Sequence, residues 1–519
     1  MNENLITKAY EMAKERYAAI GVDTDKAIEL LEKTPISLQC WQADDVMGFE
    51  NDTALTGGIQ ATGNYPGRAR NIDELRSDIK FVKSLLGGTQ RLNLHEIYGD
   101  FQGKHIDRDE VEPAHFQSWM EWGKENGMKL DFNSTSFSHP KSGDLSLANP
   151  DKSIRDFWIE HTKRCRRVAD AMGKFQGDPC IMNIWVHDGS KDQTVERLRY
   201  REIMAQSLDE ILAEDLPGMK TCLEAKLFGI GLESYTVGSH DFVTGYCSTR
   251  KLMYTLDTGH YEQTENISDM VASLLLFVPE LMLHTSRPVR WDSDHVVTMN
   301  DQTLDLFKEV VRAGALDRTH IGLDYFDASI NRIGAYIIGT RSTQKCMLQA
   351  FLEPLETLRK YEDNGKYFQR LALLEEAKSL PFGAVYDYFN LKNGVPVGQD
   401  FIASVEKYEA AVTERAAQLP LRDGETCTRC GAPEVAFTGT GCDLRQAAPQ
   451  RGNKKTLNRE AGHFIGRLLR FSDNFQNKTI QTQGGRCFEV PEHVRQTWMT
   501  ERCLPAIEPK PTSWPGQKP

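Results

Sequence analysis

Carboxylate and imidazole side chains recur where short apolar segments of this 519-residue chain end. Burying several carboxylates together is costly, because like charges repel in a medium of low dielectric constant. Divalent cations usually offset that repulsion, and oxygen and imidazole ligands without cysteine suit Mn²⁺, Mg²⁺, Co²⁺ or Zn²⁺. We therefore predict metal binding by seven residues: Glu224, Asp257, His260, His284, Asp292, Asp294 and Asp324.

The spacing of these residues indicates that more than one ion is held. Asp257 and His260 lie three positions apart around Gly259, so they can serve two different ions. Asp292 and Asp294 lie two positions apart, and in an extended segment both side chains point the same way. A single Asp or His at a strand end is more commonly a cap or a satisfied polar residue, so the prediction rests on the joint pattern.

Eight short apolar segments alternate with helical patterns and are predicted strands. They span residues 36–41, 91–97, 130–137, 181–187, 220–226, 251–257, 280–286 and 320–326. Eight alternations favour an α/β fold of the closed (β/α)8 type, the TIM barrel, over a doubly wound sheet. Because such a barrel exposes the carboxyl ends of its strands at one mouth, the candidate ligands would converge there with His95, Asn133 and Lys226.

Three regions are predicted along the chain. Residues 1–345 form the barrel with an N-terminal helix, and residues 346–416 form a helical extension that packs outside the barrel or against another subunit. Residues 417–519 form an atypical, poorly ordered tail with 15 Lys and Arg against 10 Asp and Glu, whereas the preceding residues carry a net charge of −17. The CTRC motif of the tail lacks the second pair of ligands that a zinc ribbon needs.

Local signals add further expectations. Asn71 and Asp301 are predicted N-caps of helices. The Gly-rich segment 56–67 does not join a strand to a helix as a phosphate-binding loop would, and is predicted to be a mobile loop over the mouth. Five histidines are expected on the surface or in loops: His105, His115, His139, His161 and His240.

Composition excludes several classes of protein. The net charge of −12 argues against nucleic acid as the main partner. The longest apolar run, residues 271–278, is too short to cross a membrane, and the first residues lack the apolar block of a signal peptide. Six scattered cysteines are expected to be buried thiols, so the chain is predicted to be cytoplasmic: Cys40, Cys165, Cys180, Cys222, Cys247 and Cys346.

Three motifs resemble the L-rhamnose isomerase family, and the resemblance runs from about residue 5 to residue 415. They are LDTGHYEQTENISDM (256–270), LMLHTSRPVRWDSDHVV (281–297) and HIGLDYFDASINRIGAYIIGTR (320–341). The resemblance implies a (β/α)8 barrel that forms a homotetramer and interconverts L-rhamnose and L-rhamnulose. Members of that family end near residue 416, so the tail falls outside the resemblance.

The resemblance also implies a role for each candidate residue. His260, Asp292 and Asp294 match the ligands of a catalytic Mn²⁺, for which Co²⁺ or Zn²⁺ can substitute. A second divalent cation at a structural or substrate-orienting site matches the remaining four ligands: Glu224, Asp257, His284 and Asp324. The residues expected to face the substrate are Trp41, His95, Trp185 and Lys226.

The expected reaction is a two-metal-assisted 1,2-hydride shift on the open-chain sugar. Lys226 would stabilise the developing oxyanion, His95 would help to open the ring, and Asp324 is the third predicted catalytic residue. Trp41 and Trp185 offer apolar faces for sugar C–H bonds and the 6-deoxy methyl group. The alternative route is an ene-diol mechanism with a carboxylate base.

Three other functions fit the sequence less well. A sugar 3-epimerase on the same barrel typically requires one metal ion and two carboxylates on opposite faces of the sugar, whereas the seven candidate ligands here fit two ions. A metal-dependent hydrolase usually has an HxH pair on its first strand, which residues 36–41 lack. A sugar-binding or scaffold protein without activity is disfavoured because the ligand set is intact.

Overall fold

Eight parallel strands close into a barrel in the order in which they occur along the chain. The computed structural model describes residues 2–50, 62–289, 294–418, 479–481 and 487–489. The strands are β1 (Ile36–Gln39), β2 (Gln90–His95), β3 (Lys129–Asn133), β4 (Cys180–Ile184), β5 (Met219–Glu224), β6 (Met253–Asp257), β7 (Leu281–Thr285) and β8 (Thr319–Leu323). The closing pair is β1 and β8, in which Ile36 is the partner of Ile321. The predicted (β/α)8 barrel is confirmed.

Fourteen α-helices occur within the described residues. They are α1 (Glu3–Ala18), α2 (Thr24–Lys33), α3 (Ile72–Ser84), α4 (Gln117–Glu125), α5 (Lys152–Gln176), α6 (Arg197–Ile211), α7 (His240–Arg250), α8 (Ser268–Leu274), α9 (Asp301–Arg312), α10 (Arg332–Phe351), α11 (Leu355–Asp363), α12 (Tyr367–Lys378), α13 (Phe382–Lys392) and α14 (Phe401–Gln418). Helices α11–α14 follow the barrel, as the helical pattern after β8 predicts. The predicted division at residue 345 falls inside α10 and stays a prediction.

The predicted strands overlap all eight observed strands but run up to four residues too far at their carboxyl ends. The apolar pattern continues there because the chain stays buried after it leaves the sheet. Trp41, for example, lies in the short 3-10 helix Cys40–Gln42 and is 2% exposed. The residues that follow the strands therefore line the mouth of the barrel from turns and loops.

The N-cap prediction for α3 is confirmed, and that for α9 is wrong by one residue. The Asn71 side chain accepts hydrogen bonds from the backbone N–H groups of Asp73 and Glu74. At α9 the capping side chain is Asn300, which accepts from Thr303 N at 2.9 Å, whereas Asp301 is the first helical residue. The carboxylate of Asp301 still lies in the first turn, where it interacts favourably with the positive end of the helix dipole.

The cysteine prediction holds, and one histidine prediction fails. All six cysteines of the barrel region are buried free thiols. His161, expected at the surface, is completely buried in α5. Its Nε2 accepts a hydrogen bond from Thr135 N at 3.0 Å and its Nδ1 donates to Arg108 O at 3.1 Å. Sequence alone did not reveal these two backbone partners.

The chain divides into two units, residues 1–431 and 432–519. In the second unit, the described residues form one antiparallel pair of strands, Thr479–Gln481 and Cys487–Glu489. Three cysteines of the tail, Cys427, Cys430 and Cys442, and the first half of the Gly-rich segment 56–67 lie outside the described residues. No helix in the described part of the chain is long and apolar enough to span a bilayer.

Candidate metal centre

Four predicted ligands meet at the carboxyl ends of neighbouring strands. Glu224 ends β5, Asp257 ends β6, His284 lies in β7 and Asp324 follows β8 directly. His284 and Asp257 are partners in the parallel register of β7 and β6, so their side chains enter the barrel at one level. One ligand atom from each of the four residues lies within 4.8 Å of the other three, and three of the residues are fully buried.

The ligand atoms of the cluster lie at ion-pair distances from one another. His284 Nδ1 lies 3.0 Å from Glu224 Oε2, 3.1 Å from Asp324 Oδ2 and 3.9 Å from Asp257 Oδ2. Within the described residues, Glu224 Oε1, Asp257 Oδ2 and both ring nitrogens of His284 are buried and have no hydrogen-bond partner. Buried polar atoms are nearly always paired, so this set fits a cation that takes their lone pairs.

The pKa values show how strongly the four groups are coupled. Burial raises the pKa of Asp257 well above its usual range, and the nearby carboxylates of Asp324 and Glu224 add to that rise. Burial alone would lower the pKa of His284, but Glu224 and Asp324 attract the protonated ring and raise it. Burial opposes the ionised form of Glu224, yet His284 and His260 hold its pKa below the usual range. These shifts reflect the crowding of carboxylates in a buried space, which a bound cation would relieve by favouring the ionised carboxylates and the neutral imidazole.

Neutral donors bind one oxygen of each carboxylate; in Asp257 and Asp324 it is the oxygen turned away from His284, whereas Glu224 Oε2 also faces His284. Asn183 Nδ2 donates to Glu224 Oε2 at 2.5 Å, and Trp41 Nε1 donates to Asp324 Oδ1 at 2.9 Å. Asp257 Oδ1 accepts from Gly259 N at 2.6 Å and from a serine hydroxyl, Ser286 Oγ, at 3.0 Å. Such outer hydrogen bonds orient metal ligands.

The other predicted ligand group is described in part. His260 and Asp294 line the same cavity as the first cluster, whereas Asp292 lies outside the described residues. His260 Nδ1 donates to Ala225 O at 2.9 Å, which leaves the lone pair of Nε2 for Lys226 Nζ, 2.9 Å away, or for a metal ion.

Gly259 allows the two ligand groups to approach each other. A Cβ at this position would collide with Ser286 Oγ. It would also lie 3.1 Å from Asp257 Oδ1 and 3.3 Å from Asp294 Oδ1. The turn from Asp257 to His260 therefore requires a residue without a side chain.

A cavity opens beside the cluster. Its lining residues are Trp41, Val46, His95, Asn133, Phe137, Asn183, Trp185, Glu224, Lys226, His260, His284, Asp294, Asp324 and Phe326. Asp257 reaches the cluster without lining the cavity. Every predicted site residue that the structure describes thus lies either in the cavity lining or in the adjoining cluster.

Sequence reasoning did not single out Val46, Phe137, Asn183 and Phe326 as site residues. Asn183 lies inside an apolar strand, and its inward position, two residues before Trp185, was the available signal. The apolar lining residues carry no chemical signal in the sequence, because the same side chains fill ordinary cores.

His95 is held as a neutral imidazole on the wall of the cavity. Burial lowers its pKa to about 3. Its Nδ1 is 3.0 Å from Thr135 Oγ1, and Trp41 packs edge-on against the ring at 4.6 Å between centroids. His161 holds the backbone of Thr135, so the buried histidine of α5 supports His95 indirectly.

The chain is a closed parallel (β/α)8 barrel, and a buried cluster at the carboxyl ends of its strands could hold a cation. These two features place it among the (β/α)8-barrel proteins with a candidate metal centre. The family model for L-rhamnose isomerase (RhaA) matches residues 4–416. The chain belongs to the L-rhamnose isomerase family.

Two curated relatives illustrate the similarity. The L-rhamnose isomerase of Bacteroides thetaiotaomicron is 69% identical over 414 residues, which cover 80% of this chain and 99% of the relative. The L-rhamnose isomerase of Rhodopirellula baltica is 52% identical over 411 residues, 78% of this chain and 96% of the relative. Among solved structures, a xylose isomerase domain protein from Alicyclobacillus acidocaldarius is 13% identical with a TM-score of 0.40, and it covers 61% of this chain and 99% of that chain. That last likeness carries no functional inference.

We expect divalent cations to stabilise the folded chain, because a ligand that binds only the native state shifts unfolding by mass action. Chelator-treated protein should melt at a lower temperature than protein with added Mn²⁺, measured by differential scanning calorimetry. Glu224→Gln should reduce the shift. The matched control is Glu280→Gln, which removes a carboxylate paired with Lys220 and His320 away from the cluster, and should leave the Mn²⁺-induced shift intact. Equal shifts in both variants would contradict the metal assignment.

Proposed function

We propose that this chain interconverts L-rhamnose and L-rhamnulose by an aldose–ketose isomerisation. The observation that carries the proposal is the buried cluster of Glu224, Asp257, His284 and Asp324, which lies beside a cavity lined by polar and aromatic side chains. It lies within the 413 residues, 4–416, that match the family model. Lys226 and His95, the predicted substrate-facing ionisable residues, line the same cavity.

We propose two divalent cations, with Mn²⁺ as the catalytic ion. Glu224, Asp257, His284 and Asp324 would hold one cation, and His260, Asp294 and Asp292 would hold the other. Their oxygen and imidazole donors suit Mn²⁺, and also Co²⁺ or Zn²⁺. When bound, such cations polarise a carbonyl and the adjacent hydroxyl group of the sugar.

The isomerisation moves a hydrogen from C2 to C1 and a proton from the C2 oxygen to the C1 oxygen. Negative charge develops on these oxygens, and Lys226 would stabilise it; its buried side chain, which lines the cavity, supports this role. Asp324 is held by the indole of Trp41, so one of its oxygens stays directed at His284 and the cluster. Fixed orientation lowers the reorganisation needed during the reaction.

His95 is suited to the ring-opening step. Because burial keeps it neutral, one ring nitrogen can accept a proton while the other carries one. Its contact with Thr135 Oγ1 engages Nδ1, so Nε2 is the nitrogen that would act on the ring oxygen or on O1. Trp41 and Trp185 provide apolar faces for the C–H bonds and the methyl group of the sugar.

We also propose a cytoplasmic homotetramer. Buried free thiols fit a reducing compartment. Helix α12 has no buried residue and exposes Tyr367, Phe368 and Leu371, at 63%, 80% and 60%. Exposed apolar residues in a group are typical of subunit contacts.

Light scattering should give four times the chain mass of 58.8 kDa; a monomer mass would contradict the proposal of a homotetramer.

His260→Ala should lower kcat for L-rhamnose by at least about 100-fold with the fold retained, since losing one electrostatic contact to a transition state has effects of this size. Steady-state kinetics in the presence of Mn²⁺ and circular dichroism measure the two quantities. The matched control is His320→Ala, because His320 lies in β8 outside the cavity and pairs with Glu280. Full turnover by His260→Ala, or by thoroughly chelated wild type, would argue against the proposed function.

Isomerisation in D₂O distinguishes the two candidate routes. A direct hydride shift keeps the migrating hydrogen out of contact with solvent, so NMR of the product should show no deuterium at C1 or C2. An ene-diol route passes that hydrogen through a carboxylate base that exchanges with solvent. Substantial deuterium at either carbon would exclude the direct shift.

A further inference from the structure

Asn133 presents an unused hydrogen-bond acceptor to the cavity. The residue ends β3, is 1% exposed and lines the cavity. Its Nδ2 donates to Asn93 Oδ1 at 3.2 Å, which fixes the orientation of the amide. Within the described residues, Asn133 Oδ1 is buried and accepts no hydrogen bond.

Asn183, its neighbour in the sheet, shows the contrast. The two asparagines are register partners on β3 and β4. Asn183 uses both ends of its amide, because Nδ2 donates to Glu224 Oε2 and Oδ1 accepts from Thr255 Oγ1 at 2.8 Å. Asn183 thus orients a candidate metal ligand, whereas the oxygen of Asn133 has no such structural role.

Trp185 supplies a complementary donor on the same wall. Its indole Nε1 is buried and has no hydrogen-bond partner within the part of the chain that the structure describes. Phe137 packs edge-on against the indole at 5.8 Å between centroids, and Lys226 Nζ lies 5.6 Å from the ring centroid. These contacts restrict the rotation of the ring, so the N–H cannot easily turn towards another partner.

A sugar hydroxyl group can be the missing hydrogen-bond partner of either atom, since it donates one hydrogen bond and accepts others. We propose that Asn133 Oδ1 accepts a hydrogen bond from a sugar hydroxyl and that Trp185 Nε1 donates to one. This inference rests on the proposed function, in which C1 and C2 of the sugar would lie at the candidate metal centre and Lys226. The hydroxyl group that hydrogen-bonds to Asn133 is therefore at C3, C4 or C5. Asn133 is thus a specificity-determining residue.

The test begins with the wild-type enzyme and analogues of L-rhamnose that lack the hydroxyl at C3, C4 or C5 in turn. Leaving a buried acceptor unpaired costs roughly 10- to 100-fold in an equilibrium constant. At least one analogue should therefore lose about that factor in kcat/KM. Equal kcat/KM for all three analogues and L-rhamnose would overturn the proposal, whether or not any variant folds.

Asn133→Ala and Trp185→Phe then assign the contact. Asn133→Ala should raise KM for L-rhamnose about 10-fold or more with a smaller change in kcat, and this loss should disappear for one deoxy analogue. Trp185→Phe keeps the aromatic face and should lose only the hydrogen-bonded part of the affinity. A loss of the same factor for every substrate would assign Asn133 a structural role and overturn the proposal.

Asn390→Ala is the matched control. Asn390 is completely buried in α13, outside the cavity, and its Oδ1 is likewise without a hydrogen-bond partner among the described residues. Its substitution should change the melting temperature without changing the ratio of kcat/KM between L-rhamnose and its analogues. A change in that ratio equal to that of Asn133→Ala would overturn the assignment.

Binding of L-rhamnitol separates this inference from the proposed function. This alditol lacks the carbonyl and cannot be isomerised, so calorimetry measures recognition alone. If the wild type binds L-rhamnitol more tightly than Asn133→Ala does but does not turn over L-rhamnose, the proposed function fails and the inference stands. If the wild type turns over L-rhamnose and both proteins bind L-rhamnitol equally, only the inference fails.

Discussion

Three carboxylates and two imidazoles share one small buried space at the carboxyl ends of β5–β8, and the mouth of the barrel is arranged around that constraint. One oxygen each of Glu224, Asp257 and Asp324 accepts hydrogen bonds from neutral donors: an asparagine amide, a backbone N–H, a serine hydroxyl and an indole. Neutral donors orient a carboxylate without cancelling its charge. The negative charge therefore stays inside the cluster, where only a cation or a protonated imidazole can balance it.

The barrel mouth has two sides with different chemistry. The strands β5–β8 carry the charged ligands, whereas β1–β4 and the residues after them carry Trp41, His95, Asn133 and Trp185. The indole of Trp41 connects the two sides through Asp324. The charged and the aromatic parts of the mouth thus come from separate halves of the barrel.

Strand-end chemistry made the fold and the convergence of four candidate ligands predictable. Eight apolar segments ending in ionisable residues predict a barrel mouth, and Glu224, Asp257, His284 and Asp324 do converge there. Asn183 escaped prediction because an amide inside an apolar strand has the same pattern as a satisfied core residue.

Local patterns failed where tertiary partners decide the outcome. The histidine His161 is buried because two backbone groups, distant in the sequence, supply its hydrogen bonds. The N-cap of α9 is Asn300 and not the adjacent Asp301. Asn and Asp are comparably good N-cap residues, so the sequence alone does not distinguish them. Asp292 and most of residues 417–519 lie outside the described residues, so those predictions stay predictions.

The bare backbone at Gly259 has an evolutionary consequence. A residue with no functional group lies where any larger one would push apart Asp257, Ser286 and Asp294. Selection for catalysis would therefore act on Gly259 as stringently as on the ligands themselves. In a mutational scan of turnover it would rank among the least tolerant positions of the chain, although it contributes no atom to the chemistry.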